Sequence, residues 1–234
     1  MQYRDRREAG RLLADSLIRY ANRTDAIVLA LPRGGVPVAY EIATALGLPL
    51  DVFVVRKIGV PHHPELAMGA VASGGVHVIN RSVVDALGIT RDEFLATLQK
   101  EAMELARRRI VYRDDRPEPQ LRGAIVILVD DGLATGSTMQ VAVEALRRLA
   151  PGQIVVAVPV APADVQRALA RVADLVVCPF TPDPFLSVGA HYVDFDQVTD
   201  DEVRALLAQA DRTHKLAPSG SLESSSRLPG RAVD

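Results

Sequence analysis

The stretch that decides the fold is Val126-Ile-Leu-Val-Asp130-Asp131-Gly132-Leu133-Ala134-Thr135-Gly136-Ser137-Thr138-Met139. Its unbroken aliphatic start reads as a strand buried on both faces. Two adjacent carboxylates end the strand, a small hydroxyl-rich loop follows, and a helical pattern then runs to about Leu149. Ligands of open α/β sheets sit beyond the carboxyl ends of the strands, which is where Asp130 and Asp131 stand. Backbone N–H groups at the helix start, with the hydroxyls of Thr135, Ser137 and Thr138, make a cradle for a phosphate. No Lys follows Gly136, so this is not a Walker A loop. Carboxylates repel a phosphate; the task left to them is to accept hydrogen bonds from a pair of vicinal hydroxyls. Residue chemistry therefore points to a sugar phosphate, its hydroxyls on Asp130 and Asp131 and its phosphate on residues 134–138. An acidic pair or a hydroxyl run alone is more often a turn or a helix cap. The order strand, acids, loop, helix is what carries the reading.

Outward from this loop, apolar runs alternate with amphipathic stretches, as in an α/β domain with a mainly parallel twisted sheet flanked by helices. Strands are expected over 26–31, 50–55, 123–129, 153–159 and 174–177. Helices are expected over 9–20, 36–46, 163–171 and 200–210. Pro37 falls in a first turn, where its missing N–H does no harm, and Gly47 marks the end of that helix. Thr90-Arg-Asp-Glu93 has capping-box spacing and opens a long charged helix to about Arg113. Ser73-Gly74-Gly75 fits the turn of a hairpin over roughly 67–80. After about Thr213 the composition turns to Ser, Gly and Pro without apolar period, so residues 1–212 read as the domain and 213–234 as a disordered tail.

Lys and Arg total 27 against 29 Asp and Glu, a net charge of −2 that gives no footprint for wrapping nucleic acid. Five Tyr, five Phe and no Trp make a stacking platform for single strands a poor expectation. The single cysteine, Cys178, excludes an internal disulfide and a multi-cysteine zinc site, and reads as packing. The charged N-terminus leads into no apolar segment and no run reaches membrane-spanning length, so a cytoplasmic location without membrane contact is expected. Arg107, Arg108, Arg109 and Arg113 make one basic helix face, read as solvated and balanced by Glu101, Glu104 and Asp114.

The 126–139 pattern resembles the signature of type I phosphoribosyltransferases, which bind 5-phosphoribosyl-1-pyrophosphate (PRPP). Over residues 1 to about 212 the chain is also similar to a bacterial group within that family. The resemblance implies that Asp130 and Asp131 hold the ribose 2′- and 3′-hydroxyls and that Ala134, Thr135, Gly136, Ser137 and Thr138 bind the 5′-phosphate. It places a pyrophosphate loop at Leu31-Pro32-Arg33-Gly34-Gly35, where glycines admit an anion to the backbone and Arg33 adds charge-assisted bonds. Arg56 and Lys57 end a strand with two cations expected on one rim, toward PRPP or the departing pyrophosphate. Ile58 to Gly75 is expected as a flexible lid, its His62, His63 and Glu65 better read as exposed loop residues than as metal ligands. Pro182-Asp-Pro-Phe185-Leu186 through Asp194 resembles the small C-terminal hood of purine-salvage members. There Phe185 would stack on the base, with Leu186 and Asp194 nearby, although one extra residue stands between Gly189 and Asp194.

Hypoxanthine/guanine enzymes carry an Asp where this chain has Ala134, as adenine-type enzymes do, so any acid/base group must come from elsewhere. The resemblance implies Mg²⁺, held chiefly by PRPP's own oxygens with Asp130 and Asp131 nearby, and a homodimer, as is common in the family. The expected activity is transfer of the phosphoribosyl group to a nitrogenous base, a purine or a related one. The catalytic set would be Asp130, Asp131, Arg33 and Lys57. A non-catalytic PRPP sensor is the alternative; residues 1–24 are too short for a helix-turn-helix module, and the net charge is slightly negative. An anion-binding scaffold that has kept the motif and lost activity is the third reading.

Overall fold

The computed structural model describes residues 2–113 and 117–216. Helix α1 (Arg6–Asp15) is capped by Asp5, whose carboxylate accepts from Glu8 N–H at 2.7 Å. It starts earlier than the apolar period suggests and stops at Asp15; a separate 3₁₀ turn, Ile18–Tyr20, completes the expected 9–20 span. Strand β1 (Ala26–Ala30) is buried along its whole length, and α2 (Gly35–Leu46) follows. Gly47 ends α2 at φ 64°, and a Cβ there would lie 2.6 Å from Asn22 Oδ1. Then come β2 (Leu50–Val52), β3 (Val55–Val60), β4 (His63–Ala72), β5 (Val76–Ile79), α3 (Arg81–Ala86) and α4 (Arg91–Arg113). The second half alternates β6 (Ile125–Val129), α5 (Ser137–Arg148), β7 (Gln153–Ala157), α6 (Ala163–Leu169), β8 (Leu175–Val177) and α7 (Asp200–Leu216).

Five strands form one parallel sheet in the order β2-β1-β6-β7-β8. Successive strand residues face opposite sides. Val28, Ile127 and Val155 accordingly pack with Leu13, Ile42, Leu46, Val203 and Leu207 of α1, α2 and α7. Leu29, Leu128 and Val156 pack with Met139, Val143, Leu146 and Leu169 of α5 and α6. The chain winds outward one way from β1 and the other way from β6, so the loops after these neighbouring strands diverge. The crevice between them is the topological switch point. No helix among the described residues is long and apolar enough to cross a membrane.

The expected strand 50–55 is two strands. It leaves the parallel sheet after Val52, and Val55 opens a separate antiparallel sheet, β3-β4-β5. The segment 58–75, expected as a flexible lid, is built largely of strands of that sheet. The Gly, Pro and His residues that suggested a loop contribute only the turn at Pro61-His62, with His62 at φ 66°. On either side of that turn, Ile58, Val60 and Met68 bury themselves against Phe94 of α4, a cluster that a mobile loop would leave in water. The expected hairpin forms as β4–β5 around Ser73–Gly75, where Gly74 and Gly75 take φ 80° and 72°.

At the start of α4 the capping box is realised: Glu93 Oε2 accepts from Thr90 N–H at 2.9 Å, and Thr90 Oγ1 accepts from Glu93 N–H at 3.3 Å. The arginine face is balanced differently from expectation. Glu104 takes Arg107 and Arg108, Glu118 takes Arg109, and Glu101 is engaged elsewhere; Arg113 leaves the solvated face altogether, buried against Asp51 and Glu118, and Asp114 lies outside the described residues. Helix α7 runs past Ala210 and Thr213 to Leu216, because Val203, Leu206, Leu207 and Ala210 dock it on the sheet. Residues 217–234 of the expected tail lie outside the described residues.

Candidate active site at the switch point

The two central strands deliver the site. Leu31 N–H donates to Val129 O at 2.8 Å, which ties the turn after β1 to the end of β6. That turn holds a cis peptide between Pro32 and Arg33. Its glycines lie directly on the acidic pair: a Cβ on Gly34 would stand 2.1 Å from Asp131 Oδ2, and one on Gly35 would stand 2.7 Å from Val129 O.

Each carboxylate has one oxygen engaged inside the protein. Asp130 Oδ1 accepts from Asp131 N–H at 2.9 Å, and Asp131 Oδ2 accepts from Arg6 Nε at 2.8 Å. Among the described residues nothing donates to Asp130 Oδ2 or Asp131 Oδ1, so two acceptors remain on neighbouring residues. Burial raises the Asp130 carboxyl well above the usual range, and the charge of Asp131 adds to this. Burial raises Asp131 as well, against the downward pull of Arg6. Tyr192 supports the pair from the C-terminal segment, its hydroxyl donating to Asp131 O at 2.5 Å. Burial and the Asp131 charge hold that phenol above the normal tyrosine range.

The loop that follows turns through Gly136 at φ 68°, and a Cβ there would lie 2.5 Å from Val165 Cγ1. Buried Met139 anchors the first turn of α5 behind it. Ala134, Thr135 and Thr138 are exposed at the rim, and Thr135 Oγ1 lies 3.1 Å from Ser137 Oγ. Lys57 reaches across from β3 and donates to Ser137 Oγ at 2.6 Å.

Arg56 and Lys57 take different partners. As successive strand residues they diverge. Arg56 Nη2 lies 2.7 Å from Glu101 Oε2 on α4. Both still border a cleft of about 750 Å³ between β3 and α4, with Lys100, His62 and Thr138. Arg33 lies 3.7 Å from Asp200 Oδ1, which also accepts from Tyr112 OH at 2.7 Å.

In the hood, Phe185 is half-buried with its ring 5.4 Å from that of His191, while Leu186 is exposed. Asp194 is exposed beside the N-terminal segment: its N–H donates to Arg4 O at 2.8 Å, and its carboxylate accepts from Asp196 N–H. Cys178 Sγ donates to Phe180 O, and burial pushes the thiol up to about 11. The side chain of Glu65 lies outside the described residues.

Residues 2–179 match the family described as "Phosphoribosyl transferase domain". The chain belongs to the phosphoribosyltransferase family. Two proteins of Mycobacterium tuberculosis, strains CDC 1551 and H37Rv, each named "Putative phosphoribosyl transferase", are 43% identical to it over 228 residues. The match covers 97% of this chain and 51% of theirs, so the chain spans about half the length of these curated relatives. The crystal structure of TT1426 from Thermus thermophilus is 41% identical with a TM-score of 0.81, covering 89% of this chain and 99% of that one.

Within this phosphoribosyltransferase fold the structure brings together Gly34, Gly35, Asp130, Asp131 and the 134–138 loop, and adds Lys57. It turns Arg33 toward Asp200 and Arg56 toward Glu101. Arg6 and Tyr192 have no place in the sequence reading. Their contacts to Asp131 span 125 and 61 residues, and no local spacing signals them.

Proposed function

We propose that the protein transfers the 5-phosphoribosyl group of PRPP to a nitrogenous base, a purine or a related base, with release of pyrophosphate. The observation that carries this reading is the buried acidic pair with one unengaged oxygen on each residue, set between a glycine turn and the start of α5. Asp130 Oδ2 and Asp131 Oδ1 accept the ribose hydroxyls. The 5′-phosphate lies on the N–H groups and hydroxyls of residues 134–138, at the positive end of α5 and beside Lys57. The pyrophosphate faces the Arg33–Gly35 turn, where Arg33 exchanges its long, half-exposed pairing with Asp200 for the anion.

As the bond from C1 to pyrophosphate breaks, positive charge develops on the ribose, and the two carboxylates below it favour that charge. The base nitrogen then bonds to C1, and its proton passes to the departing pyrophosphate or to water. Phe185, Leu186 and Asp194 are proposed to receive the base.

Among the described residues no three His, Cys, Asp or Glu side chains gather to hold a metal. Mg²⁺ would be carried on the oxygens of PRPP, with Asp130 and Asp131 as the protein acceptors beside it, and would neutralise pyrophosphate charge. A cytoplasmic homodimer is the proposed setting. The test is calorimetric titration of PRPP with and without Mg²⁺, followed by pyrophosphate release over a panel of purines, pyrimidines and other amines. Base-dependent release supports the transferase, binding without turnover on any base turns the reading to a PRPP sensor, and absence of binding overturns both.

A further inference from the structure

Arg6 is held from three sides. Its Nε donates to Asp131 Oδ2 at 2.8 Å, its Nη1 donates to Asp196 O at 2.8 Å, and its Cζ lies 3.8 Å from the centre of the Phe195 ring. The Phe195 ring stacks at 4.9 Å on Tyr192, which holds Asp131 by its carbonyl. Behind Arg6, the segment before α1 is zipped to the C-terminal segment: Tyr3 N–H donates to His191 O, Val193 N–H to Tyr3 O and Asp194 N–H to Arg4 O, each at 2.8 Å. Helix α1 packs tightly on α2, since Gly10 lies so close that a Cβ would stand 2.6 Å from Val38 O. The Arg6 and Asp131 side chains are 12% and 15% exposed, so this is a pair largely out of water rather than a surface contact.

This arrangement does more than bury a charge. The planar fork, stacked and bonded at both ends, fixes the direction from which Asp131 is approached and commits Oδ2 to the protein. Oδ1 is left as the acceptor for a ligand hydroxyl. Among the described residues Arg6 is also the one cation in contact with the pair; the other groups facing Asp131 are Asp130, the Tyr192 hydroxyl and the Gly34 backbone.

We propose that Arg6 is the positioning residue of the ribose-binding carboxylates, acting through Asp131 to fix its orientation and leave Oδ1 facing the ligand. The inference rests on the PRPP reading above for the nature of the ligand, but not for the coupling between the two side chains. An N-terminal helix and a C-terminal segment thus complete a site whose acids come from the middle of the chain. Deleting either would loosen the acids without touching them.

The experiment compares wild type, Arg6→Ala, Arg6→Lys and the control Arg11→Ala, whose half-exposed side chain pairs with Glu41 at 3.2 Å and does not touch the acidic pair. PRPP with Mg²⁺ is titrated calorimetrically from pH 5 to pH 8, and Asp carboxyl ¹³C shifts are followed over the same range without ligand. Arg6→Ala should bind PRPP on the order of tenfold more weakly at pH 8, with a loss that deepens toward pH 5. In the same variant the Asp131 carboxyl should titrate at higher pH. Arg6→Lys, which keeps charge but not the fork, should restore the titration more fully than the affinity.

A role confined to stability would lower the melting temperature of Arg6→Ala and leave the PRPP affinity of the folded variant and its pH profile where they are. That outcome overturns the proposal. If wild type binds no PRPP, the ligand reading falls while the carboxyl titration still decides whether Arg6 governs Asp131.

Discussion

Lys57 Nζ donates to Ser137 Oγ at 2.6 Å, joining the antiparallel sheet to the first turn of α5 across 80 residues of chain. The ammonium thereby stands beside the backbone N–H groups that would meet a phosphate, and it adds a full charge to the partial charge of the helix end. It also pins β3 next to the loop, so binding and the placement of the second sheet are linked through one side chain.

Replacing this lysine tests that link. Lys57→Met keeps most of the apolar stem and removes the charge. PRPP affinity should fall on the order of tenfold to a hundredfold, with a shallower dependence on salt. Calorimetry at two ionic strengths reads both; an unchanged affinity would remove Lys57 from the site.

Asp131→Asn should weaken PRPP binding by a similar factor while the fold persists. The amide oxygen still accepts from Arg6 at the Oδ2 position, which puts an NH₂ donor where Oδ1 was. A ribose hydroxyl then loses its acceptor. Binding by titration and folding by circular dichroism separate the two effects, and undiminished affinity would show the ribose site to be wrongly placed.

Asp130→Asn has an opposite consequence for the empty protein. A carboxyl raised above its unfolded value opposes folding once it must ionise, so the penalty is absent below the unfolded carboxylate range and grows as pH rises through the folded value. The variant removes that penalty and keeps an oxygen for Asp131 N–H. Its melting temperature should exceed that of wild type at pH 8, and the difference should vanish near pH 4. A variant less stable than wild type at pH 8 would contradict the burial argument.

Gly34→Ala should be damaging beyond its size. The added methyl would stand 2.1 Å from Asp131 Oδ2, so either the carboxylate or the turn must move. A stability loss of about 1–3 kcal/mol is expected from such overpacking, together with loss of PRPP binding. Thermal unfolding and titration check both. Gly123→Ala is the control: its Cβ position is open and its φ of 75° brings only local backbone strain, so stability should fall while binding stays.

The central loop was legible because its determinants are contiguous. A buried strand, two acids, a small loop and a helix start follow one another over residues 126–139, and each is specified by near neighbours. The Thr90–Glu93 box and the Gly47 cap were legible for the same reason. The strands flanking the Pro61-His62 turn were not legible because Gly, Pro and His advertise a loop, whereas these strands depend on burying Ile58 and Met68 against Phe94 of a helix that comes later. Arg56 and Lys57 border one cleft as expected, but the alternation of β3 gives them different partners, Glu101 and Ser137, which no local spacing signals.

By itself the sequence determined the parallel α/β core, the position of the acids at the end of a central strand and the small, hydroxyl-rich loop that opens α5, since periodicity and local hydrogen bonding act over a few residues. Only the tertiary structure decided that Arg6 meets Asp131, that Lys57 meets Ser137 and that Arg33 and Arg56 are engaged by Asp200 and Glu101. Those pairings join side chains far apart in the chain. They exist because helix docking and sheet curvature bring them within a few ångströms, and no spacing along the chain encodes that approach.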